Sequence, residues 1–544
     1  MLASFATRPT SHDPAAAGAP CCGRQSSPDP NTSRRRPRRD SLPPVSDRLQ
    51  QLAERSAERA RTQPRRFRIE LRAWLLLGRA LPLLVPVLAG IGAVLAVLAG
   101  NPVLALGAVI ATIAAAAAVV APSHLPAGYR LERGEAPGLD TLIDEVVAST
   151  GAHGVDAIVI DEEFNAGMVA VPSRIPIARP RIVLVLGLPL LQALTTPQVR
   201  AVVTHEVAHL AGGRSGLDRR VEHARHLWDA IHHAAATPGG TGWLLARIAD
   251  WYAPRLAART GYLAVEHERY ADRVDQALAG PHVAVDALLA VILRSERFDE
   301  LWAEVHWWPA EQDRPPRNLY AVLVPEWVAA RLDPEAARRT LRRELARPVP
   351  EGADYPAMLD RVHELGEQGD PDEVISHHVA ALVAPVSLPA AAELLGQVQP
   401  RIAAMLDVRW EDGIADEWSE SRRDLLAHAE RARDLEAQSA LRSLDDEEAA
   451  ELAVRLWAAF GDERAEPACR ELLGRQPSHG FARLSLARLS LRRGTAEWRS
   501  LLPEVIERGA DASLRGEARA LFDDGCLEQG AGPSSDTTDP GGVR

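Results

Sequence analysis

The stretch His205-Glu206-Val207-Ala208-His209 sets two imidazoles and a carboxylate close together. Residues four apart on a helix share a face, so His205 and His209 can bind one metal ion. Glu206, beside the first histidine, can reach a water at that ion without ligating it. This layout suits zinc-assisted hydrolysis, in which the metal acidifies water and the carboxylate takes its proton. Three fixed positions of rare residue types arise by chance in such a chain at on the order of a few per cent. The bland alternative is two surface histidines beside a solvated glutamate. It fits poorly with the mostly apolar segment Ala201 to Leu210, where polar groups need partners.

A zinc ion in this role takes a third protein ligand and leaves its fourth position to water. A helical segment 59 residues after His209 offers Glu266-His267-Glu268-Arg269-Tyr270-Ala271-Asp272. Glu268 and Asp272 share a face. One carboxylate can bind zinc while the other orients a ligand histidine through its free ring N–H. Glu266 and His267 compete for the ligand role, and helical geometry alone leaves the choice open. A further cluster, His223, His226, His232 and His233, reads more readily as solvated or packing histidines than as a second metal site. Trp307-Trp308 reads as core or interface. No Walker loop, dinucleotide fingerprint or serine elbow is present.

These two motifs resemble those of the gluzincin peptidase family that includes the bacterial heat-shock membrane protease HtpX and the CAAX prenyl proteases. There a HExxH helix is followed by a helix bearing ExxxD, often with Ala before the Asp. The counterpart here is Glu268-Arg269-Tyr270-Ala271-Asp272. The resemblance implies one zinc ion per chain, held by His205, His209 and Glu268, with Glu206 catalytic and Asp272 behind a ligand histidine. It also implies that Asn165-Ala166, after Val159-Ile160-Asp161, lies beside the site on a strand that binds substrate backbone by strand addition. The family often carries His-Pro with a following Arg; the comparable segment here is Asp354-Tyr355-Pro356 with Arg361. In this alignment Tyr355 can donate to the tetrahedral oxyanion, and Arg361 is an active-site or structural residue.

Several elements must hold these groups. Thr196 can cap the zinc helix, Pro197 fits its first turn and Gly212-Gly213 can end it. Leu139 to Ser149 has helical periodicity. Ala157 to Asp161 and Arg181 to Leu186 read as strands, with Asn165 to Val171 as a further possible strand. From about residue 380 the chain is helical. Gly494-Thr495 follows Gly461-Asp462 by 33 residues, a period resembling tetratricopeptide-type repeats.

Upstream, Ala80 to Ala99 and Val103 to Ala121 are apolar runs joined by Gly100-Asn101-Pro102, with no charge between Arg79 and Arg130. Each approaches the ~20 residues that cross a bilayer, and a two-span hairpin also fits HtpX-like members. Trp243 to Val265 carries Arg247, Asp250, Arg255 and Arg259, so no further span is expected there. Arg59, Arg61, Arg65, Arg66, Arg68 and Arg72 precede the first run. Positive-inside logic then puts both ends of a hairpin in the cytoplasm.

The expected organisation is therefore mainly α with a small β-sheet. Residues 1–72 form an Arg-rich disordered tail and a charged helix, and 73–122 a transmembrane hairpin. A gluzincin-type domain follows at 123–366, a tetratricopeptide-like helical region at 367–523 and a disordered tail at 524–544. The expected function is a membrane-anchored zinc endopeptidase facing the cytoplasm, acting on misfolded or membrane proteins. Its partners would be protein or peptide substrates, the lipid bilayer, and a protein bound by the C-terminal helices. The rival is a membrane-tethered scaffold whose metal site is structural or inactive.

The bulk composition sets limits on these readings. The 544 residues exceed a single compact core. All 62 basic residues are Arg, and the net charge of -12 argues against nucleic acid as a partner. The four cysteines, Cys21, Cys22, Cys469 and Cys526, imply no disulfide framework.

Overall fold

A computed structural model describes residues 47–101, 125–152, 154–171, 181–210, 243–349, 355–509 and 512–529, with scattered positions between them. The described chain is mainly helical around one small sheet. The elements used below are α1 (Asp47–Thr62), α2 (Pro64–Leu98), β1 (Tyr129–Leu131), α3 (Pro137–Thr150), β2 (Ala157–Asp161), β3 (Ala166–Val171), β4 (Arg181–Gly187), α4 (Leu188–Ala193), α5 (Thr196–Ala208), α6 (Trp243–Ala279), α7 (Pro281–Val305), α8 (Pro334–Ala346), α9 (Met358–Glu364), α10 (Pro371–Leu382), α11 (Gln399–Ser439), α12 (Asp446–Arg475), α13 (Gly480–Arg492), α14 (Trp498–Arg508) and α15 (Ala512–Glu528).

The sheet runs β1-β2-β4-β3. β2 and β4 are parallel, from Ala157 opposite Val183 to Asp161 opposite Gly187, while β1 and β3 are antiparallel to their neighbours. β4 is buried from Val183 to Gly187, as befits a central strand covered on both faces. Gly187 makes a close approach possible at its end. A Cβ there would collide with the Glu163 carbonyl, and the Gly187 N–H donates to the Asn165 carbonyl at 2.7 Å. The turn carrying Asn165 is thereby fixed against the strand that leads into α4 and α5.

The expected transmembrane hairpin is overturned. Among the described residues, no helix is long and apolar enough to cross a membrane. The run from Ala80 is not an element of its own. It continues a 35-residue helix that starts at Pro64 and carries Arg65, Arg66, Arg68, Glu70, Arg72 and Arg79. Gln63 separates this helix from α1, so the expected single charged helix is broken there. The charged half of α2 packs on protein: Phe67, Leu71 and Leu75 are buried with Tyr252 and Leu256 of α6. The Tyr252 hydroxyl donates to the Trp74 carbonyl at 2.7 Å, and Arg259 stacks over the Trp74 ring. The second run, Val103 to Ala121, lies almost wholly outside the described residues. The two-span membrane placement, with its cytoplasm-facing domain, falls with the hairpin.

The main core takes in residues from Leu131 to Trp418, so it reaches past residue 366. Arg294 of α7 is a tie inside it. Its guanidinium donates to the carbonyls of Val328, Ala330, Leu382 and Ala384 at 2.6–3.2 Å, joining α7 to the end of α10. Replacing Arg294 by Met is expected to cost about 3 kcal/mol or more, since the carbonyls lose charge-assisted partners worth ~1.5–3 kcal/mol each. Urea denaturation checks this, and a loss below ~1 kcal/mol would show that water serves these carbonyls equally well.

A second core forms among α12 to α15 and the end of α11. Successive helices pack on one another there. Gly461 and Gly494 both adopt left-handed backbone, at φ +81° and +66°, which glycine tolerates without strain. They break the chain 33 residues apart, where the sequence places its two Gly turns.

Candidate metal centre

α5 is well punctuated, one residue earlier than expected. Thr195, not Thr196, is the N-cap, and it forms a capping box with Gln198, with Pro197 in the first turn. His209 is the C-cap with helical backbone, and residues 211–215 lie outside the described ones. The helix is buried from Ala201 to Ala208. Val199, Val202, Val203 and Val207 join the main core. Burial of each stabilises by ~1.5–3 kcal/mol, which fixes the face on which both histidines stand.

α6 packs along α5 and brings Glu268 to both histidines. Glu268 Oε2 lies 3.3 Å from His205 Nε2, and Oε1 lies 3.6 Å from His209 Nε2. One ligand atom from each of the three residues lies within 4.8 Å of the other two. Tetrahedral ligands at ~2.0–2.1 Å from zinc stand roughly 3.3 Å apart, so only small adjustments would seat an ion. His205 Nε2, Glu268 Oε2 and Glu206 Oε1 are buried, and apart from the 3.3 Å approach of the first two to each other none has a hydrogen-bond partner. Buried polar atoms left in that condition are costly, and an ion with its water would satisfy all three.

Asp272, one turn beyond Glu268, accepts the other side of the His205 ring, Nδ1 to Oδ1 at 3.1 Å. This fixes Nε2 as the ligand atom. Arg361 grips the same carboxylate, Nε to Oδ2 at 2.9 Å and Nη2 to Oδ1 at 2.5 Å. Burial would raise Asp272, but Arg361 outweighs it and holds the carboxyl at about 2. Burial likewise opposes ionisation of Glu268, yet its histidine neighbours keep it well below the usual range. Burial lowers His205, but Asp272 and Glu268 together raise it to about 9. In the ion-free protein His205 thus carries a proton that a metal must displace. Burial raises Glu206, which brings it toward the range useful to a general base.

Of the other candidates in this segment, Glu266 turns away to Arg269 at 3.3 Å, and His267 is not in the group. Ala166 is buried at the start of β3, paired with Leu186. Asn165 stands just before it with a buried Oδ1 that has no hydrogen-bond partner. β3 packs against α5, and its outer edge has no strand beside it among the described residues. Tyr355 is 41% exposed and does not line the cavity at the centre. Arg361 grips Asp272, and its Nη2 also lies 3.4 Å from His205 Nδ1, so it positions the ring both through the carboxylate and beside it. His223, His226, His232 and His233 lie outside the described residues.

One residue escaped the sequence reading. Asp275 is buried, its Oδ1 has no hydrogen-bond partner, and burial raises it to about 7. It lines a cavity of about 40 Å³ with His205, Glu206, Asp272 and Arg361. The signal was available: Glu268, Asp272 and Asp275 follow a four-three spacing that keeps one helix face.

Comparison of the chain with family models, with curated proteins and with solved structures finds no match.

Proposed function

We propose that this chain is a zinc-dependent endopeptidase acting on protein or peptide substrates. The observation that carries the reading is one constellation. His205, His209 and Glu268 converge within 4.8 Å, with the unpartnered Oε1 of Glu206 beside them. The family resemblance of HExxH and ExxxD adds to it. A purely structural ion would gain nothing from a buried, adjacent Glu206. When bound, zinc supplies a Lewis acid that polarises the scissile carbonyl and lowers the pKa of water. Glu206 then takes the proton from the attacking water and hands it to the leaving amine. Asp272, held by Arg361, keeps the His205 ring in its ligating tautomer. The open edge of β3 suits an extended substrate backbone, and the resemblance favours misfolded proteins as substrates. The C-terminal helical pairs would offer a surface for recruiting a substrate or a partner.

His209→Ala tests the ligand set. Zinc content is expected to fall from about one ion per chain at this site to near zero, with cleavage of casein lost, because two ligands do not hold a catalytic ion. Zinc retained there at full stoichiometry would sink the assignment.

A further inference from the structure

A second constellation lies outside this centre, where α6 gives way to α7. His282 and Asp286 are one turn apart at the start of α7 and share a face. His378 comes from the middle of α10. Both imidazoles address the same carboxylate: His282 Nδ1 lies 3.1 Å from Asp286 Oδ2, and His378 Nδ1 lies 2.6 Å from Oδ1. One ligand atom from each of the three lies within 4.8 Å of the others. The His378 side chain is fully buried, and its Nε2 has no hydrogen-bond partner. Glu367, on the loop between α9 and α10, places Oε2 3.8 Å from that Nε2 and is itself held by His377 Nδ1 at 2.7 Å.

We propose that His282, Asp286 and His378 form a second site for a zinc-class divalent cation, with Glu367 orienting His378. Two imidazoles and one carboxylate are the donors that zinc and its first-row neighbours prefer. Calcium and magnesium take oxygen ligands. The burial pattern also suits a binding site: His378 and Asp286 are the inner ligands, while the His282 side chain, 71% exposed, gives the ion a way in from solvent. Binding releases the proton that His378 Nδ1 shares with Asp286. The remaining N–H, on Nε2, then faces Glu367 Oε2 at 3.8 Å, and a small shift of that carboxylate completes the carboxylate–histidine–metal arrangement that fixes a ligand ring. Without an ion the bland reading is a protonated His378 between two carboxylates, with His282 as a surface ion pair to Asp286.

Such an ion would staple the start of α7 to α10. The loop it braces follows α9, which carries Arg361, so the staple would stiffen the support behind the metal centre without touching it. The proposal does not depend on the first centre being catalytic.

The test is zinc stoichiometry of the full chain by equilibrium dialysis at micromolar free metal. The expected values are two ions per chain for the wild type, and one each for His209→Ala and His282→Ala. His282→Ala alters an exposed side chain, so the fold and the ion at the first centre should be unchanged. In the His209→Ala background, Glu367→Gln should weaken the remaining site by about 10–100-fold. Failure of the first centre alone would appear as an ion lost by His282→Ala and none lost by His209→Ala. A wild type that binds no ion sensitive to His282→Ala overturns the second site, whatever the first one does.

Discussion

Glu206→Gln should abolish casein cleavage while leaving zinc bound. General-base catalysis contributes about 10²–10⁴-fold, and a loss of that order in kcat/KM is expected. The replacement keeps the shape of the side chain and removes only its ability to take a proton. Glu206 is not one of the converging ligands, so the zinc content at His205, His209 and Glu268 should stay at about one ion. The pairing of results matters. Activity lost together with the metal would point to collapse of the site, whereas activity retained with Gln at 206 would defeat the proposed mechanism. Because burial raises Glu206, the wild-type kcat/KM should also fall on the acid side, as the base becomes protonated. In the Gln variant any residual activity should lack this contribution, and an acid limb that remains should track loss of zinc as His205 regains its proton.

What could be read from the sequence depended on how local each relation is. The HExxH helix was legible because its geometry follows from a four-residue spacing, and its capping box lies just upstream. Glu268 and Asp272 required two steps. Their own spacing put both on one face, but only the family resemblance chose Glu268 over Glu266 or His267. Asp275 continues that face and was missed because no motif names it. The grip of Arg361 on Asp272 joins residues 89 positions apart, and the bond from His378 to Asp286 spans 92. No periodicity reports such pairings. The hairpin failed for a related reason. Hydropathy marked the apolar run, but it could not show that the run extends a helix whose charged half is committed to α6. The sheet was largely visible because β2 and β4 are unbroken β-branched and apolar stretches. The three-residue β1 was too short to stand out.

Arg361→Leu should destabilise the ion-free chain by about 3–5 kcal/mol at neutral pH. Asp272 is buried against Arg361, with the guanidinium on both of its oxygens. Removing one partner of such a pair leaves an uncompensated buried charge, and that accounts for most of the loss. The pH dependence gives the sign. In the wild type, Asp272 is depressed to about 2 from 3.8, so its contribution is fully present above pH 3.8 and is lost as pH falls through about 2. Without Arg361 the largest opposition to burial is gone and the carboxyl rises, with only His205 still holding it down, so most of that contribution is lost. The variant then suffers most above the raised pKa, and its deficit narrows as pH falls and Asp272 takes up a proton. Arg361→Leu combined with Asp272→Asn removes the buried charge altogether and should recover at least half of the loss. The amide oxygen can still accept from His205 Nδ1, so the ligating tautomer survives. Urea denaturation of chelator-treated protein between pH 4 and 8 measures all three chains. If Arg361→Leu lies within ~1 kcal/mol of the wild type across that range, the pair is not the buried support described here. If the double variant is no better than the single one, the cost arises from lost packing of the Arg361 side chain rather than from a stranded charge.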